Sequence, residues 1–137
     1  MYRILIIDDE QVVREGISAN IDWDALGFEL VAACRDGREG LEAASRLRPD
    51  VVITDICMPF VDGLELAGAI GDQFPGTKTI LLTGYDEFEY AQEAVKLKVH
   101  DFLLKPIPAE ELTETLQEHR KHLDPERAQR REPERRQ

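Results

Sequence analysis

Five side chains that could do chemistry stand at or just after the ends of apolar runs in this 137-residue sequence. They are Asp8 and Asp9 after ILII, Asp55 after VVIT, Thr83 at the end of KTILLT and Lys105 after DFLL. Neighbouring carboxylates repel one another, so a site that contained several of them would require a cation. Together, two or three carboxylates, a hydroxyl and an ammonium could bind a metal ion and receive an anionic group.

The residue types favour phosphoryl chemistry over other uses of such a cluster. A hard divalent ion such as Mg²⁺ takes oxygen ligands and suits the carboxylates better than zinc does. With Mg²⁺ and Lys105 neutralising the phosphoryl oxygens, Asp55 could attack phosphorus in line while Thr83 donates its hydroxyl to one oxygen. A lone aspartate after a strand is more often a cap or turn residue, so this interpretation depends on the whole set.

The elements that must position these residues are five apolar, strand-like runs, each followed by a segment of helical period. The runs are YRILII, FELVAA, VVIT, KTILLT and DFLL. Strands that alternate with helices predict a parallel sheet covered on both faces. Ligands of such sheets bind outside the carboxyl ends of the strands, which is where the candidate residues stand.

The helices are predicted from the spacing of apolar residues and from prolines. Phe88, Ala91 and Val95, for example, lie on one helical face before the fifth run, and Pro108 stands where the last helix would begin. The sequence therefore predicts one domain over residues 1–123. Residues 124–137 are charged, contain two prolines and are predicted to form a disordered tail or a linker.

Composition excludes several classes of function. The net charge of −11 opposes direct binding to nucleic acid. The apolar run before Asp8 is too short for a signal peptide or a membrane span, which predicts a cytoplasmic protein without membrane contact. The two cysteines lack the spacing of a metal site and are expected to be buried thiols.

Four motifs resemble the receiver domain of bacterial two-component response regulators over about residues 2–120. They are ILIIDDE, DICMPFVDGLEL, LLTGYD and DFLLKPI. The resemblance implies a doubly wound, flavodoxin-like (βα)5 fold of the α/β class. Its five-stranded parallel sheet would have the order 2-1-3-4-5.

The resemblance also implies roles for individual residues. Asp55 would be the phosphoacceptor, and Mg²⁺ would be bound by Asp9, Asp55 and the backbone carbonyl of Cys57, with Asp8 acting largely through water. Lys105 would bind a phosphoryl oxygen.

The same resemblance implies a conformational switch and its partners. Thr83 and Phe102 would form the switch pair, and the Lys105–Pro106 peptide bond would be cis. The domain would be no enzyme in the usual sense, but a signalling domain that assists its own phosphorylation and dephosphorylation. A sensor histidine kinase would supply the phosphoryl group, and whether the active form is a homodimer stays open.

A narrower resemblance links the chain to receivers joined to an AraC-type helix-turn-helix output domain. It rests on REGI, IDWDALGFELVA and TGYDEFEYAQEAVKLKVHDFLLKP. Control of transcription is therefore expected, with DNA contacted only through an output domain that this chain lacks. The charged tail begins where the linker to that domain would start, which suggests a separated receiver or part of a longer regulator.

Three alternatives have their own discriminating features. A phosphatase of the haloacid-dehalogenase type would need a second aspartate two residues after Asp55, where this chain has Cys57. A flavodoxin would need a Ser/Thr/Gly-rich loop in place of DDEQVVREG after the first strand. A receiver-like module that is never phosphorylated would have no need for Asp9, Asp55, Thr83 and Lys105.

Overall fold

The computed structural model describes residues 1–56, 58, 61–84 and 100–135, with the backbone alone for 125–135. Cys57 and the predicted helical face of Phe88, Ala91 and Val95 lie outside the described residues. The described strands and helices follow one another as β1 (Tyr2–Ile7), α1 (Gln11–Asn20), α2 (Trp23–Leu26), β2 (Phe28–Cys34), α3 (Gly37–Leu47), β3 (Val51–Asp55), α4 (Gly63–Gln73), β4 (Lys78–Thr83), β5 (Asp101–Leu104) and α5 (Ala109–Arg135).

The strands form one parallel sheet in the order β2-β1-β3-β4-β5. In its centre Ile53 pairs with Ile6 on one side and with Ile80 on the other. The predicted fold class and strand order are therefore confirmed. All five apolar runs of the sequence are strands, and β3 extends one residue further than its run, to include Asp55.

The core lies on both faces of the sheet because successive strand residues point to opposite sides. Ile4 and Ile6 of β1 pack on the face that α1 and α5 cover, together with Leu116. Leu5 and Ile7 pack on the opposite face, under α3 and α4. The central strands are apolar on both sides for this reason, and their polar residues are concentrated at the strand ends.

A short helix, α2, was not predicted from the sequence. Its four residues are too few for an apolar period, and its ends are defined by caps. The Asp22 side chain accepts a hydrogen bond from the Ala25 N–H, at 3.2 Å. Gly27 ends the helix with a φ of 80°, a left-handed conformation that favours glycine.

The last helix continues past the predicted domain boundary at residue 123. Its backbone stays helical to Arg135, across residues for which the sequence predicted a disordered tail or a linker; the boundary itself stays a prediction. The hydroxyl of Tyr2 donates a hydrogen bond to the Asp124 carboxylate, and the Arg120 guanidinium donates one to the Leu26 carbonyl at 2.8 Å. The first contact fastens α5 to the amino end of β1, and the second fastens it to the end of α2.

None of the helices in the described part of the chain combines the length and the apolar composition needed to cross a bilayer.

Cys34, the last residue of β2, is buried, as expected of a structural thiol. Burial, assisted by Glu39 and Asp36, raises the pKa of its thiol to about 11.

In a Cys57→Ser variant, which keeps Cys34 alone, we expect the thiol of the folded protein to react with dithionitrobenzoate at pH 8 about a hundredfold more slowly than in guanidinium, because the thiolate is the reactive form. The reaction rate of the folded protein should rise with pH as the thiol ionises. The free energy of unfolding should fall between about pH 9 and 11, because in that range the thiol is ionised in the unfolded chain and still protonated in the folded protein. Equal rates with and without guanidinium would contradict this.

Candidate functional site

The carboxyl end of β1 carries the first two acidic candidates. Asp8 is fully buried, and its backbone N–H donates to the Cys34 carbonyl at 3.0 Å, which extends the pairing of β1 with β2. Its Oδ1 atom accepts a hydrogen bond from the Glu10 N–H at 2.9 Å. Asp9 follows with an exposed side chain, so the turn presents one buried and one accessible carboxylate.

Asp55 ends β3, the central strand, and is only 3% exposed. Its Oδ1 atom accepts a hydrogen bond from the Ile56 N–H at 3.0 Å and lies 3.1 Å from the Nζ atom of Lys105. A buried carboxylate needs such partners, because an uncompensated charge in the interior is costly. The strand thus ends on an aspartate whose cationic partner comes from the far edge of the sheet.

Four carboxylates converge at this edge: oxygens of Asp8, Asp9, Glu10 and Asp55 all lie within 4.8 Å of one another. The Lys105 ammonium lies among them, 2.9 Å from Asp8 Oδ2 and 3.5 Å from Glu10 Oε1. The predicted convergence of Asp8, Asp9, Asp55 and Lys105 is therefore present in the structure. Glu10, which comes directly after Asp9, joins the cluster.

The electrostatics of the cluster follow from burial and from Lys105. Burial raises the pKa of the Asp8 carboxyl, which Asp9 raises further, while the Glu10 N–H and Lys105 oppose the shift. Burial lowers the pKa of Lys105, but its contacts with Asp8 and Asp55 outweigh burial and leave the pKa raised. Lys105 therefore stays charged and acts as the internal counterion of the site.

Thr83 and Phe102 lie on β4 and β5, the two strands on one side of Asp55. Thr83 is buried at the end of β4, one residue beyond Leu82, which pairs with Asp55. Its carbonyl accepts the Lys105 N–H at 2.7 Å. Phe102 of β5 is half-buried and packs against a small cluster that contains Leu81. The Lys105–Pro106 peptide bond is cis.

Two supporting residues were not singled out from the sequence. Gly63 begins α4, and a Cβ atom there would lie 2.2 Å from the Asp55 carbonyl oxygen. Its N–H donates to the Ile56 carbonyl at 2.8 Å. Arg14 of α1 donates from its guanidinium to the Asp8 carbonyl at 2.7 Å. Glycine in DICMPFVDGLEL and arginine in REGI were visible as motif members, but nothing in their spacing showed what they contact.

The donor set fits a hard divalent cation. The clustered ligand atoms of the described residues are carboxylate oxygens, which Mg²⁺ prefers, and the exposed Asp9 and Glu10 leave room for bound water. An ammonium already lies between Asp8 and Asp55, so the site favours positive charge. The structure is thus compatible with Asp8, Asp9 and Asp55 as ligands; the contribution of Cys57 falls outside the described residues.

Residues 4–117 match the family model of the response regulator receiver domain. The chain therefore belongs to the receiver domain family of two-component response regulators, a family of signalling domains.

Similar proteins include transcriptional regulators. The chain is 40% identical over 118 residues to the transcriptional regulatory protein YesN of Bacillus subtilis, a match that covers 86% of this chain and 32% of that protein. It is 36% identical over 107 residues to the transcriptional regulatory protein HptR of Staphylococcus aureus, covering 78% of this chain and 42% of that protein. The chain thus spans less than half the length of these relatives.

Solved structures agree with the family and the fold. The REC domain of AraT, a response regulator from Geobacillus stearothermophilus, superposes with a TM-score of 0.89 at 44% identity and covers 92% of this chain and 98% of that one. A two-component transcriptional regulator AraC from Clostridium phytofermentans superposes with a TM-score of 0.86 at 34% identity, covering 93% and 99%. The resemblance to receivers of AraC-type regulators is confirmed.

Proposed function

We propose that this chain is a Mg²⁺-dependent phosphoacceptor that takes a phosphoryl group from a sensor histidine kinase onto Asp55. The observation that carries the proposal is the position of the Asp55 carboxylate. It ends the central strand, lies 3.1 Å from Lys105 Nζ and belongs to a cluster of four carboxylates. A nucleophile must be held rigidly and still be reached by its substrate, and a strand end provides both conditions.

Each residue of the site has a distinct part in this reaction. Asp9, Asp55 and the Cys57 carbonyl would hold Mg²⁺, with Asp8 contributing through water, and the ion would neutralise phosphoryl oxygens. An oxygen of Asp55 forms a bond to phosphorus as the phosphorus–nitrogen bond to the kinase histidine breaks. Lys105 exchanges part of its contact with Asp55 for a phosphoryl oxygen.

The phosphorylated site would then act on Thr83 and Phe102. A phosphoryl group on Asp55 brings negative charge and three acceptor oxygens beside the end of β4, so the Thr83 hydroxyl gains a hydrogen-bond acceptor. As Thr83 moves towards it, the half-buried ring of Phe102 can fill the space that Thr83 leaves. The surface around β4 and β5 would change shape and report phosphorylation.

The output of this switch is transcription through an AraC-type DNA-binding domain. The similarity to YesN and to the AraC-type regulator supports this output. The match covers only 32% of YesN, so that protein extends well beyond the receiver. DNA would be contacted only by that domain, since the chain has a net charge of −11. Response regulators of this kind act in the cytoplasm, and the active form would be a monomer or a homodimer.

The test is intact-mass spectrometry after incubation with acetyl phosphate, with and without Mg²⁺. We expect a gain of one phosphoryl group that requires Mg²⁺. A folded protein that gains none would favour a receiver-like module that is never phosphorylated. Chemical trapping of the acyl phosphate with hydroxylamine would show that the group is carried by a carboxylate.

Lys105→Ala is expected to leave Mg²⁺ binding intact while it weakens the switch. Removal of the ammonium leaves Asp8 and Asp55 without their counterion, so urea unfolding without Mg²⁺ should show a loss of about 2 kcal/mol or more. Saturating Mg²⁺ should restore most of that loss, because the ion replaces the missing charge. Lys121→Ala, which removes an exposed lysine paired with Glu118, is the matched control. A Lys105→Ala variant that no longer binds Mg²⁺ would contradict this expectation.

A further inference from the structure

Arg14 makes a contact that the proposed phosphoryl chemistry does not use. It lies in the first turns of α1, where its backbone N–H donates to the Glu10 carbonyl at 3.1 Å. Its half-buried side chain turns back towards the sheet, and Nη1 donates to the Asp8 carbonyl at 2.7 Å. The guanidinium therefore binds the backbone of the segment that carries three consecutive carboxylates.

Every polar atom of Asp8 has a partner, and each partner comes from a different place. The N–H is bound to Cys34 of β2, Oδ1 to the Glu10 N–H, and Oδ2 is paired with Lys105. The Asp8 carbonyl lies beyond Ile7, the last residue of β1 that pairs with β2. Its hydrogen-bond donor is the Arg14 guanidinium. Unlike the other partners, Arg14 connects the acidic turn to the side of a helix.

The acidic turn needs such a restraint. Asp8, Asp9 and Glu10 are consecutive, and their mutual repulsion favours conformations in which the carboxylates are far apart. A hydrogen bond from a charged donor to a backbone carbonyl is stronger than a neutral one and has a defined direction. Outer groups that orient metal ligands in this way commonly change metal affinity by about 10- to 100-fold when they are lost.

We propose that Arg14 is a positioning residue, which holds the turn after β1 so that the carboxylates of Asp8 and Asp9 face the divalent cation. This inference rests on the proposed function, because it takes the cluster to be the Mg²⁺ site. Arg14 would act through its bond to the Asp8 carbonyl, and not as a ligand of the ion or of the phosphoryl group.

A positioning role and a purely electrostatic role for Arg14 predict opposite changes in Mg²⁺ affinity when its guanidinium is removed. If the guanidinium acted only as a positive charge near the cluster, its loss would make the site more negative, and Mg²⁺ would bind more tightly. If it holds the turn, its loss allows the carboxylates to separate, and Mg²⁺ binds more weakly. The sign of the change in affinity therefore distinguishes a positioning residue from a nearby cation.

The experiment is a calorimetric titration of the protein with MgCl₂, without any phosphodonor. We expect Arg14→Met, which keeps the aliphatic stem, to weaken Mg²⁺ binding about tenfold or more, and Arg14→Lys to recover part of the affinity. Arg120→Met is the matched control, because it removes a bond of the same kind, from a guanidinium to the Leu26 carbonyl at 2.8 Å, at the other end of β1. It should leave Mg²⁺ affinity unchanged.

Unchanged or tighter Mg²⁺ binding by Arg14→Met would overturn the inference, as would an equal loss in Arg120→Met. If Arg14→Met does not fold, Arg14→Gln tests the same point, since it also lacks the positive charge. If the parent chain takes up the phosphoryl group normally and Arg14→Met binds Mg²⁺ as tightly as the parent does, this inference is wrong and the proposed function is unaffected. A parent chain that binds no Mg²⁺ would remove the proposed function together with it.

Discussion

The Asp55→Asn variant is expected to gain no phosphoryl group from acetyl phosphate in the presence of Mg²⁺, under conditions that label the parent chain. The amide that replaces the carboxylate is a poor nucleophile. It also lacks the negative charge that lies 3.1 Å from Lys105 Nζ. Intact-mass spectrometry should show complete loss of the labelled species, and not a reduced yield, because in the proposed reaction Asp55 supplies the oxygen that bonds to phosphorus.

The control for this variant is Asp62→Asn, the same chemical change at the N-cap of α4. Asp62 accepts a hydrogen bond from the Glu65 N–H at 2.8 Å, and asparagine caps helices about as well. Asp62→Asn should therefore be labelled like the parent. Asp55→Asn should also keep its fold, because it removes one of four mutually repelling charges. Labelling of Asp55→Asn at the parent yield would show that another residue is the phosphoacceptor.

Gly63→Ala is expected to destabilise the fold by about 2–3 kcal/mol, the upper range for an overpacked interior. The added Cβ would lie 2.2 Å from the Asp55 carbonyl oxygen and 2.7 Å from Ile56 Cα. Both neighbours are backbone atoms, which cannot turn aside as the tip of a side chain does. Either the start of α4 or the end of β3 must move, so phosphorylation of Asp55 should also slow. Urea unfolding followed by circular dichroism measures the first effect.

Gly68→Ala provides the matched comparison within the same helix. Among the described residues, no atom outside the helix's own backbone and the chain neighbours of Gly68 lies within 4 Å of the position where its Cβ would be, and alanine is the better helix former. This variant should gain about 0.5–1 kcal/mol, since glycine loses more conformational freedom on folding. Opposite signs for the two substitutions would establish that the close approach at Gly63 is specific. A similar small change in both would show that α4 and β3 can separate without cost.

Much of the fold was predictable because apolar β-formers and turn residues alternate clearly along the chain. The run VVIT must be a strand buried on both faces, and an aspartate directly after it must stand at the strand's carboxyl end. Because the carboxyl ends of parallel strands lie at the same edge of a sheet, Asp55 is expected to lie near Asp8 and Lys105. The order of the strands, in contrast, followed only from the resemblance to receivers, because apolar runs do not reveal which strands are neighbours.

The features that the sequence did not reveal depend on short-range geometry. Helix α2 has four residues and is defined by the Asp22 and Gly27 caps, so it has no apolar period to detect. Arg14 binds a carbonyl six residues before it, on the strand side of a turn, and no residue spacing predicts such a contact. The close approach at Gly63 depends on how α4 meets β3, which is a property of tertiary packing.

The bond between Tyr2 and Asp124 has a consequence for how the domain can signal. Tyr2 begins β1 and Asp8 lies just beyond its end. The bond to Asp124 and the acidic cluster are therefore separated by the length of that strand, about 20 Å. Helix α5 begins at Ala109, four residues after Lys105 of the acidic cluster, and Asp124 anchors it to Tyr2 at the other end of β1. A phosphoryl group on Asp55 is therefore too distant to contact Asp124. Any effect of the phosphoryl group at Asp124 must be allosteric, which means a shift between two arrangements of the packed elements. Helix α5 extends along these elements from one end of β1 to the other.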